Sequence, residues 1–365
     1  MTVRTRRLEG FSLVSILCVL GSAPANAAAQ PCDDWTQRAF AAAPHARFNH
    51  GMCYDSGRGR VVVFGGRYSL STFSYFGDTW EWDGNVWTRV ATTGPAIRVS
   101  PQLAYDSVRQ RVVLYGGYGE SSTYYDTWEW NGSIWQLRAT SGPQLSTANS
   151  NGTMVFDSAR ARTVLFDFPN SGPGQTWEWD GTVWVQKFPA TRPTTKGVLA
   201  YDAARQRTVH FGQQGGGTWE WDGTNWLEKN PTLAPPPRIS GFAMAFHPGR
   251  ARVILHGGMT AVFPYTYLGD TWEFDGTTWT QFTPATSPEA RRYHTMAYDT
   301  SRQQLVLFGG TNHPTNGQAA ANDLWELGCP PAAPCYANCD QSTQSPVLNV
   351  ADFTCFLQKF AAGCP

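Results

Sequence analysis

The heptapeptide DTWEWDG at 78–84 returns as DTWEWNG at 126, QTWEWDG at 175, GTWEWDG at 217, DTWEFDG at 270 and DLWELG at 323, at intervals of 48, 49, 42, 53 and 53 residues. Upstream of each copy lies a second block, CYDSGRGRVVVFGG in the first and AYDSVRQRVVLYGG in the second. Downstream of the first five copies comes a third block ending in tryptophan: NVW, SIW, TVW, TNW and TTW. Six copies of a unit near 50 residues leave little choice of architecture, because one such unit cannot bury its own apolar face and must stack against the next. Within the unit, β-branched and aromatic runs alternate with turn residues, which predicts four short strands, a to d. Strand a ends in Tyr-Asp, strand b is the VVVFGG run and strand c is TWEW. An Asp-Gly or Asn-Gly turn then leads to strand d with its own tryptophan.

This block order, with Gly-Gly after strand b and Trp in strand d, resembles the kelch-repeat β-propeller over residues 32–329. The chain departs from that pattern by placing Trp82, Trp130, Trp179 and Trp221 where many kelch units carry Tyr. Asp167-Phe168 and Gly212-Gln213 also replace Gly-Gly in the third and fourth units. The sixth copy stops after strand c, and CDDWTQR at 32–38 matches the missing strand d through Trp35. The expectation is an all-β, six-bladed propeller closed by an N-terminal strand. Cys32 and Cys329 both fall at the c–d turn of the last blade, which predicts a Cys32–Cys329 disulfide.

Residues that recur in every blade serve what every blade must do, which is to pack on its neighbours. All 16 tryptophans fall in strand c or d positions. Glu81, Glu129, Glu178, Glu220, Glu273 and Glu326 recur with turn arginines Arg58, Arg109, Arg160, Arg205, Arg250 and Arg302, and buried acids need such partners. The repeat therefore reads as scaffold, and function belongs to the irregular loops.

The kelch resemblance puts the b–c loops and the d–a segments on one face. Tyr68, Tyr118, Tyr125 and Tyr265 lie in b–c loops and offer flat apolar area with a polar tip, suited to a glycan or protein. Arg47, Arg98, Arg238 and Arg291 in d–a segments either hold a carboxylate or pack on aromatic rings. His50 and His294 take the same strand a position in blades 1 and 6, neighbours in the expected closed ring. These ten are the expected ligand-binding residues, and no catalytic residue is assigned. Kelch enzymes that resemble galactose oxidase need a copper site, which this sequence does not assemble. A sialic acid mutarotase of the kelch kind needs only an acid and a base.

The chain opens on Arg4, Arg6 and Arg7, an apolar run and the small residues SAPANAAAQ, the layout of a secretory signal peptide over 1–29. Without Arg4, Arg6, Arg7 and Glu9, the 28 basic and 28 acidic residues become 25 and 27, a balance that gives no footprint for nucleic acid. No later stretch is apolar enough to span a membrane. Residues 330–365 form a Pro/Ala linker and a tail in which Phe353, Phe356, Leu357 and Phe360 have helical spacing. Asn338, Asp340, Ser342 and Asp352 alternate there like calcium ligands, and the segment resembles half of a dockerin-type or EF-hand-like module. That resemblance implies calcium in the tail and a cohesin-like or cell-surface partner. Taken together, the sequence predicts a secreted protein, extracellular or periplasmic, that binds a glycan or protein and is not an enzyme. The alternative is a sugar-modifying kelch enzyme of the mutarotase or epimerase kind.

Overall fold

The computed structural model describes residues 34–69, 74–144, 154–168, 174–312 and 320–328. Contacts divide the chain into one unit of residues 31–332 and another of residues 1–30 and 333–365, the latter wholly outside the described residues. The first unit comprises six antiparallel sheets, with no helix among the described residues beyond two three-residue 3-10 turns. No described helix is long and apolar enough to cross a membrane.

In blade 1, strand a is Gly51–Asp55, b is Arg60–Phe64, c is Thr79–Trp82 and d is Trp87–Ala91. Blades 2 to 4 repeat this order over 102–139, 154–187 and 197–229. Blade 5, over 238–282, adds Arg238–Ser240 alongside a lengthened strand b, Arg252–Thr260. Blade 6, over 295–327, has Trp35–Arg38 as its outer strand, with Trp35 opposite Leu327 and Arg38 opposite Leu324. The six strands a lie side by side around the axis.

The turn chemistry explains the local geometry. Asp55 accepts the Arg58 backbone N–H at 3.1 Å and its guanidinium Nε–H at 2.8 Å, while Arg58 Nη1 donates to Glu81 at 2.7 Å. The same Asp–Arg–Glu triad stands in blades 2, 3, 4 and 6. At the c–d turn, Asp83 accepts the N–H groups of Asn85 and Val86, both at 2.8 Å. Gly84 there has φ +102°, and a Cβ would stand 2.6 Å from Arg302 of the neighbouring blade. Only glycine lets that turn adopt a left-handed conformation and press on the next guanidinium.

The strand c tryptophans are interblade ties. Trp130 donates its indole N–H to Glu81 of the preceding blade at 3.0 Å, as Trp179 does to Glu129, Trp221 to Glu178 and Trp82 to Glu326. The strand d tryptophans Trp135, Trp184, Trp226 and Trp279 donate to strand c threonines of the preceding blade at 2.8–2.9 Å. Most wedges thus bury large rings and satisfy their one polar atom, with Trp35 and Trp87 as exceptions whose buried indole nitrogens have no partner.

Three expectations need correcting. The ring is not closed as foreseen: the six sheets are separate hydrogen-bonded units, and the N-terminal strand contributes only a four-residue pairing to the last of them. No disulfide occurs among the described residues, and the expected partners Cys32 and Cys329 lie outside them. The cysteine-rich helical tail is not supported either. Asn338, Asp340, Ser342 and Asp352 lie outside the described residues, and no group of three or more His, Cys, Asp or Glu that could hold a metal ion occurs among those described. The dockerin-like reading and its calcium are given up.

Candidate functional site

The upper mouth of the channel is built by two short devices repeated in blades 1, 2, 5 and 6. After strand b, Gly65-Gly66 take φ +70° and +94°, as do Gly-Gly pairs at 116–117, 257–258 and 309–310 with similar values. The chain turns there so closely that a Cβ on Gly66 would stand 2.9 Å from the Phe48 carbonyl oxygen. The residue after Gly-Gly then bridges the segment before strand a: Phe48 with Arg67, Val99 with Tyr118, Arg292 with Thr311. Just before strand a, Asn49, Ser100 and Tyr293 hold φ of +53°, +53° and +61°. Such backbones cost about 1–3 kcal/mol each and persist where surroundings over-determine them. Here the surroundings are backbone bonds from blade to blade: Tyr293 N–H to Gly241 O, Asn49 N–H to Tyr293 O and Ser100 N–H to Asn49 O.

These devices bring Arg67 of blade 1 and Arg292 of blade 6 to the same mouth. The Arg67 guanidinium lies 5.0 Å over the Phe48 ring, Phe48 stacks on Tyr293 at 6.1 Å, and Arg292 lies 4.8 Å over Tyr293 and 4.9 Å over Tyr267. Both side chains are half-buried, each has a buried Nε without a hydrogen-bond partner, and neither meets a carboxylate among the described residues. Tyr118 borders them, and burial holds its hydroxyl above the ordinary tyrosine range, opposed by the charge of Arg67. It therefore stays a proton donor at neutral pH. The Tyr293 hydroxyl stands 3.5 Å from Ser240 Oγ.

The expected arginines do different work. Arg47, Arg98, Arg238 and Arg291 are fully buried, and each makes a two-pronged pair with an aspartate at the start of its own strand c: Asp78, Asp126, Asp270 and Asp323. Arg47 and Arg98 also lie over Phe76 and Tyr124 at 4.3 and 4.0 Å. These forks clamp blades 1, 2, 5 and 6 from within.

Of the tyrosines, Tyr118 stands at the mouth, Tyr125 is half-buried, and Tyr68 and Tyr265 are exposed. Tyr265 sits 6.0 Å from Phe263 at the tip of the long blade 5 hairpin. His50 and His294 are buried below the mouth. His50 Nε2 meets Thr295 Oγ1 at 2.6 Å, and His294 packs on His256 at 5.5 Å. Burial and the nearby Arg47 push His50 down to about 3; burial foremost holds His294 well below its ordinary value. Both rings are neutral at physiological pH, so they are unsuited to supply a proton there.

Arg67 and Arg292 are the functional candidates the sequence reading passed over. Their signal was available: the position after Gly-Gly is Arg67, Tyr118, Met259 and Thr311 in the four regular blades, variable where its neighbours are constant. Arg292 stood beside Arg291 and was overshadowed by the repeated member of the pair.

The lower end of the channel is an apolar chamber of about 290 Å³ ringed by Tyr54, Tyr105, Phe156, Tyr201, Phe246 and Tyr298. Tyr54, Tyr105 and Tyr201 spend their hydroxyls on the neighbouring blade's a–b turn, bonding Ser301, Gly57 and Ala159. That end is scaffold.

Comparison with known proteins gives a fold. No protein-family model matches the chain, and no curated protein matches its sequence, so the kelch assignment is not supported at that level. Among solved structures the chain is similar to the one titled "Structure of YjhT", with a TM-score of 0.56 and 14% identity over 78% of this chain and 95% of that one. The likeness supports the six-bladed propeller. At 14% identity that likeness shows the fold alone.

Proposed function

We infer that this protein is an exported sugar-modifying enzyme of the mutarotase or epimerase kind, acting at the upper mouth on sugars that carry a carboxylate. The observation that supports this most is the pair of guanidiniums, Arg67 and Arg292, held on stacked rings with no carboxylate among the described residues to neutralise them. A half-buried cation without a counter-ion is costly, and an anionic ligand relieves that cost through forked, charge-assisted hydrogen bonds. The aromatic faces of Phe48, Tyr293 and Tyr267 orient the fork. Ring opening of a sugar needs a proton given to the ring oxygen and one taken from the anomeric hydroxyl, with no redox step. Tyr118 gives its phenolic proton to the ring oxygen, and the proton leaving the anomeric hydroxyl passes through the Tyr293–Ser240 hydroxyl pair to the Tyr118 phenolate, which restores the starting state. The leader-like residues 1–29 fit work outside the cytoplasm, on free sugars.

The test is anomer exchange measured by nuclear magnetic resonance saturation transfer on a panel of hexoses and their sugar acids. The protein is expected to speed exchange of the acids, and Arg67→Ala and Arg292→Ala to lose about tenfold or more of that rate each. A folded protein that accelerates no member of the panel refutes the reading.

A further inference from the structure

Blade 5 departs from its neighbours after the Gly-Gly turn. Its strands b and c run to nine and eight residues, Arg252–Thr260 and Tyr267–Phe274, whereas no other described strand exceeds six. The extra length extends a hairpin past the mouth, and its tip is held by local hydrogen bonds. Thr260 N–H donates to Thr266 O at 2.9 Å, Thr266 N–H returns to Thr260 Oγ1 at 3.0 Å, and Ala261 N–H ties the tip to Pro237 O at 3.1 Å. On this frame stand Val262, Phe263 and Tyr265, 74%, 82% and 54% exposed, with the two rings edge to face at 6.0 Å.

The base of the same hairpin belongs to the mouth. Met259 and Tyr267 are cross-strand partners and both touch Arg292, which donates from Nη1 to the Met259 sulfur at 3.1 Å and lies 4.9 Å over the Tyr267 ring. Side chains alternate along a strand, so Tyr265 leaves the ribbon on the face that Tyr267 turns to Arg292. Two residues of extended chain carry it about 7 Å farther out, on the scale of one unit of a sugar chain. A pyranose has a flat face of C–H groups that packs on an aromatic ring, and tyrosine adds a hydroxyl for the sugar's polar rim. No charged residue stands between Arg252 and Asp270, so the tip lacks the basic flank that draws a segment to an anionic lipid surface. Three side chains also fall far short of the roughly 20–30 residues a side that stable protein pairing uses.

We propose that the blade 5 hairpin tip is a second sugar subsite. The substrate is then a short acidic oligosaccharide whose reducing-end sugar acid enters the Arg67 and Arg292 fork, while the next unit lies against Phe263 and Tyr265. This rests on the sugar-acid reading of the mouth and narrows its substrate. The reducing end stays free in such a chain, so anomer exchange at the mouth proceeds as for the single sugar.

The probes are galacturonic acid and digalacturonic acid, titrated calorimetrically into the full-length protein. The dimer is expected to bind about tenfold tighter than the monomer, through its two ring contacts. Phe263→Ala with Tyr265→Ala is expected to remove that gain and to leave the monomer's affinity and the melting temperature unchanged, because both rings are exposed. Tyr265→Phe keeps most of the gain, and Arg67→Ala weakens both ligands alike, which separates the tip from the fork. Equal affinity for monomer and dimer in the unaltered protein, or a gain that survives loss of both rings, overturns the subsite and leaves the mouth reading standing. Binding of neither ligand overturns the subsite too, and the panel of sugar acids then decides the mouth reading separately. Binding to lipid vesicles, or self-association, that is lost in the double tip variant assigns the tip to a membrane or to a second copy and likewise overturns the proposal.

Discussion

At the scale of single residues, the chain separates side chains that hold from side chains that act by whether their charge is already answered. Arg58 and its counterparts in blades 2, 3, 4 and 6 answer two carboxylates each, and Arg47 and its counterparts answer one; Arg67 and Arg292 answer none among those described. The histidines give a second residue-scale consequence. His50, His210 and His256 are fully buried with values pushed down to about 3, desolvation being the first cause in each. A histidine whose folded value is depressed leaves the unfolded state binding the extra proton, so stability is full above about pH 6.5 and falls as pH drops toward 3. At pH 5 the loss amounts to about 2 kcal/mol per histidine. Thermal unfolding followed by circular dichroism is expected to show the melting temperature falling between pH 7.5 and 5, and His210→Leu to remove part of that slope. An unchanged melting temperature across this window contradicts the burial of neutral imidazoles. The aspartates Asp78, Asp270 and Asp323 act lower down: their values are lowered by their arginine pairs against an opposing burial effect, so their stabilisation disappears only below about pH 4.

At the scale of elements, the strand-to-strand chemistry is the same in nearly every blade, and a change to it is felt across an interface. Trp130→Phe keeps most of the ring packing but leaves Glu81 without its indole donor, an expected cost of about 1–3 kcal/mol in urea unfolding. Gly132→Ala adds a Cβ 2.8 Å from Arg58 at φ +97°, and a loss of similar size is expected. The strands themselves were legible in the sequence because period, turn residues and tryptophan positions all agree, a consistency that left little room for another fold. Trp35–Arg38 was legible for the same reason, as the only orphan strand matching the gap in blade 6. The mouth was not, because its geometry depends on left-handed backbones at Asn49, Ser100 and Tyr293, residues that carry no glycine signal. Nor could sequence distinguish Arg291 from Arg292, one residue apart in the segment before strand a, the first fully buried and the second half-buried. The tail shows the opposite failure: alternating oxygen side chains over a short stretch satisfied a calcium pattern that no described residue supports.

At the scale of the molecule, six wedges built alike hold a channel with two dissimilar ends. The lower end repeats the scaffold's aromatic ring in every blade, whereas the upper end breaks the repeat where blades 5, 6, 1 and 2 meet. Asymmetry in an otherwise repetitive body is where a specific small ligand can be told apart from its relatives. Calorimetric titration of the purified protein with a hexuronic acid, and with the corresponding neutral hexose, tests this most directly when repeated on the Arg67→Ala and Arg292→Ala double variant and on Arg89→Ala, an exposed arginine of an outer strand. The account predicts binding of the acid alone, abolished in the double variant and unchanged in Arg89→Ala. Equal binding of acid and hexose, or an acid affinity that survives loss of both mouth arginines, contradicts it.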